Sequence, residues 1–259
     1  MRNLGPIAIV SAMQEELSTL IELMSGEPTT VGSRVFWRAK WFGHDVVAVL
    51  SGIGKVAAAT TVATLIERFG VQEVLFSGVA GGLGDGVKVG DVVVAKELLQ
   101  HDFDASPLFP RYEIPLYGRS HFVSSHLQHQ WLVQAAKACL PGLSKAMQGE
   151  HLLGSLGVNA NEIVVHEGLV VSGDQFISSQ AQREDLRARL PLALAAEMEG
   201  ASVAQVCFDF KVPFAAVRVI SDRADDQASV NFAQFIEEVA APYGAHVIQS
   251  YLQTRPTDE

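Results

Sequence analysis

The apolar positions of this chain follow two alternating periods. The short apolar runs that predict buried strands are residues 6–10, 73–77, 92–95, 167–172 and 212–220. The segments with the helical period are residues 13–24, 55–69, 121–140, 178–190, 198–208 and 232–252. Residues 35–41 and 45–50 predict a β-hairpin, and 97–118, rich in proline and aromatic side chains, predicts a functional loop. Strands alternating with helices predict a mixed sheet wrapped by helices, in the α/β class.

Composition indicates one domain that acts on a small molecule. The 259 residues are 48% hydrophobic, with a mean hydropathy of +0.20, which is enough to bury a large core. A net charge of −10 disfavours nucleic acid and anionic membranes as partners, because the long-range field repels both. Two cysteines in predicted helices favour a reducing, cytoplasmic compartment, and the first residues lack a signal-peptide pattern. No apolar run is long enough to span a bilayer.

Three carboxylates stand after or near strand-like runs: Glu16, Glu199 and Asp222. Asp222 ends the run V-P-F-A-A-V-R-V-I-S-D, which predicts a strand buried on both faces. Because open α/β sheets bind ligands at the carboxyl edge of their strands, these acids predict an enzyme site for a small, polar, neutral or cationic substrate.

The residue types also suggest a division of labour. Glu197 and Glu199 flank Met198 just before a predicted helix, where acids can simply stabilise the exposed N–H groups. Asp222 favours a second interpretation, in which the acid at the start of this helix and Asp222 would both point into one cleft at the edge of the sheet. There Glu199 could accept two hydrogen bonds from a vicinal diol such as ribose. Asp222 is suited to donating a proton, because apolar surroundings raise the pKa of a carboxyl group.

The other candidate motifs do not indicate a catalytic role. The glycine clusters at Gly52 and Gly78 fit neither a P-loop nor a dinucleotide fingerprint, so close backbone approach is their expected use. His101 has no neighbours at metal-ligand spacing, and we expect it to anchor the loop. The sequence predicts no metal and no cofactor.

Seven motifs in order resemble one family. They are A-M-Q-E-E, S-G-I-G-K-V-A-A, G-V-A-G-G-L, K-V-G-D, V-S-G-D-Q-F-I, A-E-M-E and V-R-V-I-S-D. This set resembles the 5'-methylthioadenosine/S-adenosylhomocysteine nucleosidases of the purine nucleoside phosphorylase superfamily. The resemblance covers nearly the whole chain, weakening between residues 106 and 161. It implies a single nucleosidase domain over residues 1–259, a three-layer α/β/α fold with a central mixed, twisted sheet, and a homodimer.

The resemblance also implies a reaction and a role for each matching residue. The enzyme would hydrolyse the bond between adenine and a 5'-thio-substituted ribose through an oxocarbenium-like transition state. Glu16 would deprotonate the attacking water, and Arg218 would help to orient both Glu16 and the water. Asp222, held by Ser221, would protonate adenine N7. The residues expected to bind substrate are Glu199 and Met198 at the ribose, Glu197 as electrostatic support, Phe176 and Ile177 at the base, and Met13, Ile53 and Phe232 around the 5' substituent.

Val79 is also expected at the substrate site, although the chain departs from the family pattern here, because many relatives have a serine at this position, close to the catalytic water. Three alternatives also stay open. A phosphorylase would need cations around phosphate, and the glycine turns bring only Lys55 and Lys88 nearby. An aminodeoxyfutalosine-type nucleosidase would need Arg111, Arg119 or Arg223 to face the pocket. A non-catalytic nucleoside-binding protein is disfavoured, because the acid, the base and the ribose carboxylate are all present.

Overall fold

The computed structural model describes the backbone of residues 5–146, 159, 162–224 and 232–256, and the side chains of residues 5–140, 159, 162–224 and 234–256. Within these residues the strands are β1 (Ile7–Ser11), β2 (Glu27–Val31), β3 (Arg34–Trp41), β4 (His44–Leu50), β5 (Glu73–Gly82), β6 (Val92–Gln100), β7 (His121–Val123), β8 (Val165–Ser172), β9 (Ala193–Glu197) and β10 (Phe214–Asp222). The helices are α1 (Gln14–Met24), α2 (Lys55–Phe69), α3 (His126–Ala146), α4 (Gln180–Arg189), α5 (Gly200–Phe210), α6 (Phe232–Phe235) and α7 (Ala241–Thr254), with a π-helical segment, Ile236–Ala240, between the last two.

The strands form one mixed sheet that partly closes on itself. Strand β5 pairs in parallel with β1 and β10, and its last residues pair antiparallel with β9. Strand β10 pairs antiparallel with β6, and β6, β8 and β9 run parallel to one another. These five strands form a closed ring, and β1, β4, β3 and β2 extend the sheet from β5. The ring brings the ends of β5, β9 and β10 together.

Helices cover both faces of the sheet, which confirms the three-layer fold. Alternate side chains of β1 enter different cores: Ile7 and Ile9 pack with α1, α3 and α7, whereas Ala8 and Val10 pack with α2 and α5. Strand β10 is buried along its whole length, as its continuous apolar run predicts. No helix of the described residues combines the length and apolar character needed to cross a membrane.

Several predicted boundaries were wrong. Strand β5 extends five residues beyond the predicted end at Ser77, because Gly78–Gly82 continue the pairing with β10 and β9. Strand β6 includes residues 97–100 of the predicted loop, since these pair with β8. A short strand, β7, precedes α3, and the closing helix is interrupted by the π-helical segment. Strands β2 and β9 were missed.

Candidate active site

A cavity opens where β5, β9 and β10 end, beside the start of α1. Of the thirteen predicted site residues, those that line it are Met13, Glu16, Ile53, Val79, Phe176, Ile177, Glu197, Met198, Glu199, Arg218, Ser221 and Asp222. The thirteenth, Phe232, begins α6, but its side chain lies outside the described residues. The structure therefore brings twelve of the predicted residues together around one cavity.

Glu16 is held at the start of α1 by backbone donors. Its Oε2 accepts the N–H groups of Ala12 and Met13, each at 3.1 Å, and its Oε1 accepts the N–H of Val79 at 3.0 Å. Gly78 allows this approach, because a Cβ there would lie 3.1 Å from Oε1. Burial raises the pKa of Glu16 to about 7, although these N–H groups and the charge of Arg218 act to lower it. A carboxyl group with this pKa can take up a proton near neutral pH.

Glu16 is buried although it stands in the first turn of a helix. Only 5% of the residue is exposed. Glu16 is the third residue of α1, and its carboxylate reaches back to the N–H groups of the N-cap residue Met13 and of Ala12 before it, which draws the side chain inward. The carboxylate of Glu16 therefore stabilises the start of α1 as well as facing the cavity.

Asp222 ends β10 and is also held at both oxygens. Ser221 donates its hydroxyl to Oδ2 at 2.8 Å, and the N–H of Ala224 donates to Oδ1 at 2.7 Å. Ala224 adopts a left-handed conformation, with φ of 51°, which turns its N–H back toward the acid. A Cβ on Gly81 would lie 3.0 Å from Oδ1, so glycine is needed at this close approach.

Glu197 and Arg218 form a buried ion pair behind the cavity. Arg218 Nη2 lies 2.8 Å from Glu197 Oε2, and both side chains are at most 3% exposed. Glu197 also accepts the hydroxyl of Ser172 and the N–H groups of Glu199 and Gly200, so it caps the start of α5. The charge of Glu197 is thus largely compensated within the protein.

This pairing changes the role expected of Arg218. The family resemblance implies that Arg218 orients Glu16, but the guanidinium donates hydrogen bonds to Glu197 and to backbone carbonyls, among them that of Phe76. No hydrogen bond joins Arg218 to Glu16 within the part of the chain that the structure describes. Arg218 acts on Glu16 through its charge, which lowers the pKa of that carboxyl group.

Glu199 occupies the N-cap position of α5 and faces the cavity. Its Oε1 accepts the N–H of Gly54 at 2.7 Å, from the glycine turn that precedes α2. Burial, followed by the charge of Glu197, raises the pKa of Glu199 well above its usual range. Its Oε2 is not used in a hydrogen bond among the described residues and is available to a ligand.

Apolar side chains complete the walls. Ile53 and Phe176 are 61% and 45% exposed, whereas Ile177 is buried. A ligand covering Ile53 and Phe176 would remove this apolar surface from water.

Several residues that position the carboxylates were not predicted from the sequence. Ser172, Gly54 and Ala224 each contribute a donor to Glu197, Glu199 or Asp222. Ser172 and Gly54 lie within the motifs V-S-G-D and S-G-I-G-K, so the signal was present without a role attached to it. The contribution of Ala224 depends on its backbone conformation, which no motif indicates.

Comparison with known proteins agrees with this geometry. A model of the phosphorylase superfamily matches residues 6–253. A 5'-methylthioadenosine/S-adenosylhomocysteine nucleosidase of Shewanella denitrificans is 36% identical over 231 residues, covering 89% of this chain and 91% of the relative. The chain belongs to this nucleosidase family.

Solved structures extend the match to three dimensions. The Neisseria meningitidis 5'-methylthioadenosine/S-adenosylhomocysteine nucleosidase, in complex with methylthio-immucillin-A, has a TM-score of 0.84 and 31% identity, covering 97% of this chain and all of that one.

A second kind of relative is equally similar in sequence. An aminodeoxyfutalosine nucleosidase of Helicobacter pylori is 36% identical over 236 residues, covering 90% of this chain and 93% of the relative. The family therefore includes relatives named for two kinds of 5' substituent.

Proposed function

We propose that this protein hydrolyses the N-glycosidic bond of 5'-methylthioadenosine and S-adenosylhomocysteine, releasing adenine and the thioribose product. The observation that carries the proposal is the placement of three buried carboxylates, Glu16, Glu199 and Asp222, around one cavity with apolar walls. In a cell this reaction serves methionine salvage and removes a by-product of methyl transfer.

The three carboxylates support a simple sequence of proton transfers. As the bond between C1' and N9 breaks, its electron pair passes to adenine, and Asp222 gives a proton to N7 so that the base leaves neutral. Glu16 takes a proton from water, whose oxygen bonds to C1'. Glu199, which has one free oxygen, accepts hydrogen bonds from the ribose hydroxyls. The positive charge that develops on the sugar is stabilised by the nearby carboxylate groups of Glu16 and Glu199 in a water-poor cavity.

Water fits this cavity better than phosphate. Among the described residues that line it, Arg218 is the one cation, and it is paired with Glu197. Lys55 lies 2.6 Å from Asp102, and Lys88 pairs with Glu162 at the surface. Glu16 would repel an anion at the position of the nucleophile. A phosphorylase would need an uncompensated cation there.

The cavity walls favour an uncharged 5' group. Arg111 pairs with Asp104, Arg119 stacks on the ring of Phe208, and neither lines the cavity of the described chain. Arg223 is exposed and also lies outside the cavity lining. Aminodeoxyfutalosine, whose substituent bears a carboxylate, remains the second candidate, because a relative of that name is as similar in sequence as the methylthioadenosine enzyme.

We further propose that residues 1–259 form one nucleosidase domain that works as a cytoplasmic homodimer. The superfamily match spans residues 6–253 and supports the single domain. Leu108 and Leu116 are 84% and 96% exposed in the single chain, and a partner covering them would bury apolar surface. Cys139 and Cys207 are free thiols, consistent with a reducing compartment.

Product analysis tests the proposed reaction. The protein is incubated with methylthioadenosine, with and without inorganic phosphate, and with aminodeoxyfutalosine, and the sugar products are identified by mass spectrometry. We expect free methylthioribose at a rate that phosphate does not change, and slower cleavage of aminodeoxyfutalosine. A sugar 1-phosphate formed only with phosphate present would overturn the hydrolase. Asp222→Asn serves as the inactive control.

A further inference from the structure

Three loops reach the cavity from distant parts of the sequence, and one carboxylate joins them. Asp102, in the turn after β6, pairs through Oδ1 with Lys55 Nζ at 2.6 Å. Its Oδ2 accepts the N–H of Asp174, after β8, at 2.9 Å. Asp174 Oδ1 in turn accepts the N–H of Lys55 at 2.8 Å. Lys55, Asp102 and Asp174 therefore form a closed cycle of hydrogen bonds, here called the loop triad.

Two residues of the loop triad, Lys55 and Asp174, lie within two positions of a residue that contacts the cavity or one of its carboxylates. Lys55 follows Gly54, whose N–H donates to Glu199 at 2.7 Å. Asp174 stands two residues before Phe176, which also lines the cavity. None of the three triad residues lines the cavity. A role in the reaction would thus have to act through the position of Gly54 and Phe176.

The triad is partly shielded from water. The side chains of Lys55 and Asp102 are 16% and 22% exposed, and Lys55 Nζ has a second acceptor, Gln100 Oε1, at 3.0 Å. Burial alone would raise the pKa of Asp102, but the hydrogen bond from Lys55 and the N–H of Asp174 hold that pKa below its usual value. Asp102 is therefore ionised at neutral pH and offers two strong acceptors in fixed directions.

Close packing beside the loop triad also holds the loops together around Asp102. The imidazole of His101 lies directly against Gly173, where a Cβ would come within 2.3 Å of Nε2. Gly54 allows a similarly close approach beside Lys55, because a Cβ at this position would lie 3.1 Å from Asp174 Oδ1. Its φ of +94° also favours glycine. Two glycines thus allow the three loops to approach closely where Asp102 joins them.

We propose that Asp102 is a positioning residue for both ends of the nucleoside. By tying Lys55 to Asp174, it holds the Gly54 N–H against Glu199 at the ribose and the segment of Phe176 at the base. This inference rests on the proposed function only for the identity of the substrate. The link that Asp102 makes between Lys55 and Asp174 would position any nucleoside bound in the cavity.

The test compares Asp102→Asn and Lys55→Met, singly and together, with Asp85→Asn. Asp85 is the control for loss of an aspartate charge that pairs with a basic side chain, because it is exposed and pairs with Arg187 outside the cavity. A misplacement of about 1 Å can cost on the order of a hundredfold in rate, so we expect kcat/KM for methylthioadenosine to fall about 10- to 100-fold in each single variant. The double variant should lose little more than one single variant, because both changes break the same cycle.

A second readout separates positioning from general stability. Loss of the Gly54 contact weakens Glu199 as a ribose acceptor, so the preference for methylthioadenosine over its 2'-deoxy analogue should fall at least about threefold. Asp85→Asn should leave the preference unchanged. Circular dichroism and thermal unfolding check that the variants fold. Wild-type kcat/KM in both single variants, additive losses in the double variant, or a lower rate with an unchanged 2'-deoxy preference would overturn the proposal.

Binding distinguishes failure of the inference from failure of the proposed function. The affinity for methylthio-immucillin-A is measured by calorimetry on the same variants and needs no turnover. If the wild type binds this compound but releases no adenine from methylthioadenosine, the proposed reaction fails, and the binding series alone decides the role of Asp102. Weaker binding by Asp102→Asn, with unchanged binding by Asp85→Asn, supports positioning, and equal binding by both refutes it.

Discussion

Strand β5 has a buried acidic site at each end, and the two sites satisfy their carboxylates in different ways. At its start, Glu73 accepts the hydroxyl of Tyr251 at 2.6 Å, the amide of Gln128 at 3.1 Å and the guanidinium of Arg255 at 3.2 Å. These are side-chain donors from α3, α7 and the residue after α7. At its other end, Gly78–Gly82 pass close to Glu16, which is held by backbone N–H groups, and to Asp222, which is held by one backbone N–H and the hydroxyl of Ser221.

The difference separates a structural carboxylate from candidate catalytic ones. The charge of Glu73 is cancelled by Arg255, so this site anchors the C-terminal helix. Glu16 lacks such a partner among the described residues, and burial raises its pKa to about 7. Glu197 resembles Glu73 in having its own arginine, although it lies at the cavity. Position alone therefore does not identify the acids that transfer protons, and their partners must be examined.

The largest effect is expected at Asp222. Asp222→Asn keeps an acceptor for the Ala224 N–H but cannot transfer a proton, so turnover should fall about a hundredfold to ten-thousandfold while the protein stays folded. Single-turnover adenine release measures the chemical step, and calorimetry with methylthio-immucillin-A measures binding. The matching change at the other end of β5, Glu73→Gln, should destabilise the protein and leave the turnover of the folded fraction intact. Near-wild-type turnover in Asp222→Asn would exclude it as the acid.

Glu16 should make activity depend on pH. A base must be ionised to act, so kcat/KM for methylthioadenosine should rise with pH through about 7, and Glu16→Gln should remove both the activity and this dependence. The measurement is the pH profile of kcat/KM from pH 5 to 9. A flat wild-type profile across this range would count against Glu16 as the base.

The same pKa predicts an opposite trend in stability. The folded state raises the pKa of Glu16 above its unfolded value, so this contribution to stability is complete below about pH 4.5 and is lost as pH rises through 7. Glu16→Gln removes that loss. Relative to wild type, the variant should therefore gain up to about 3 kcal/mol in unfolding free energy between pH 5 and pH 8. Urea unfolding at the two pH values checks the sign.

The two buried arginines offer a direct comparison. Removing one partner of a buried ion pair costs about 3–5 kcal/mol, so Arg218→Ala and Arg255→Ala should destabilise the protein to a similar extent. Only Arg218→Ala should also reduce kcat in the folded protein, because it leaves Glu197 uncompensated beside the cavity. Chemical unfolding and kcat at low temperature give the two quantities. Equal kcat in the two variants would show that the Glu197 pair is only structural.

The fold class and the position of Asp222 could be predicted from the sequence for physical reasons that apply locally, whereas most of the other cavity residues were implied by the family resemblance. The apolar run of β10 must be buried, and the acid at its end must then lie at a sheet edge, so Asp222 could be placed without coordinates. The partner of Arg218 could not be predicted, because Glu197 reaches it only through the pairing of β9 with β5 and of β5 with β10. Strand β9 is a short run, A-L-A-A-E, with no periodic signal to distinguish it from a helix start.

The smallest effect is expected at Val79, whose backbone and side chain have separate roles. Its N–H donates to Glu16 at 3.0 Å, and this bond does not depend on the side chain. The half-buried side chain lines the cavity. Val79→Ser therefore keeps the bond to Glu16 and places a hydroxyl beside the position proposed for water. We expect turnover to be maintained or raised.

The loss of apolar burial in Val79→Ser should cost about 1 kcal/mol or less of unfolding free energy, because the side chain already faces the cavity. Val79→Thr is the matched variant, since it adds the hydroxyl at nearly unchanged volume. Turnover and urea unfolding are measured for both. If both variants lost activity strongly while remaining stable, the apolar surface of Val79 itself would be needed in the reaction, and the water would be held by Glu16 and backbone groups in an arrangement that a hydroxyl disturbs.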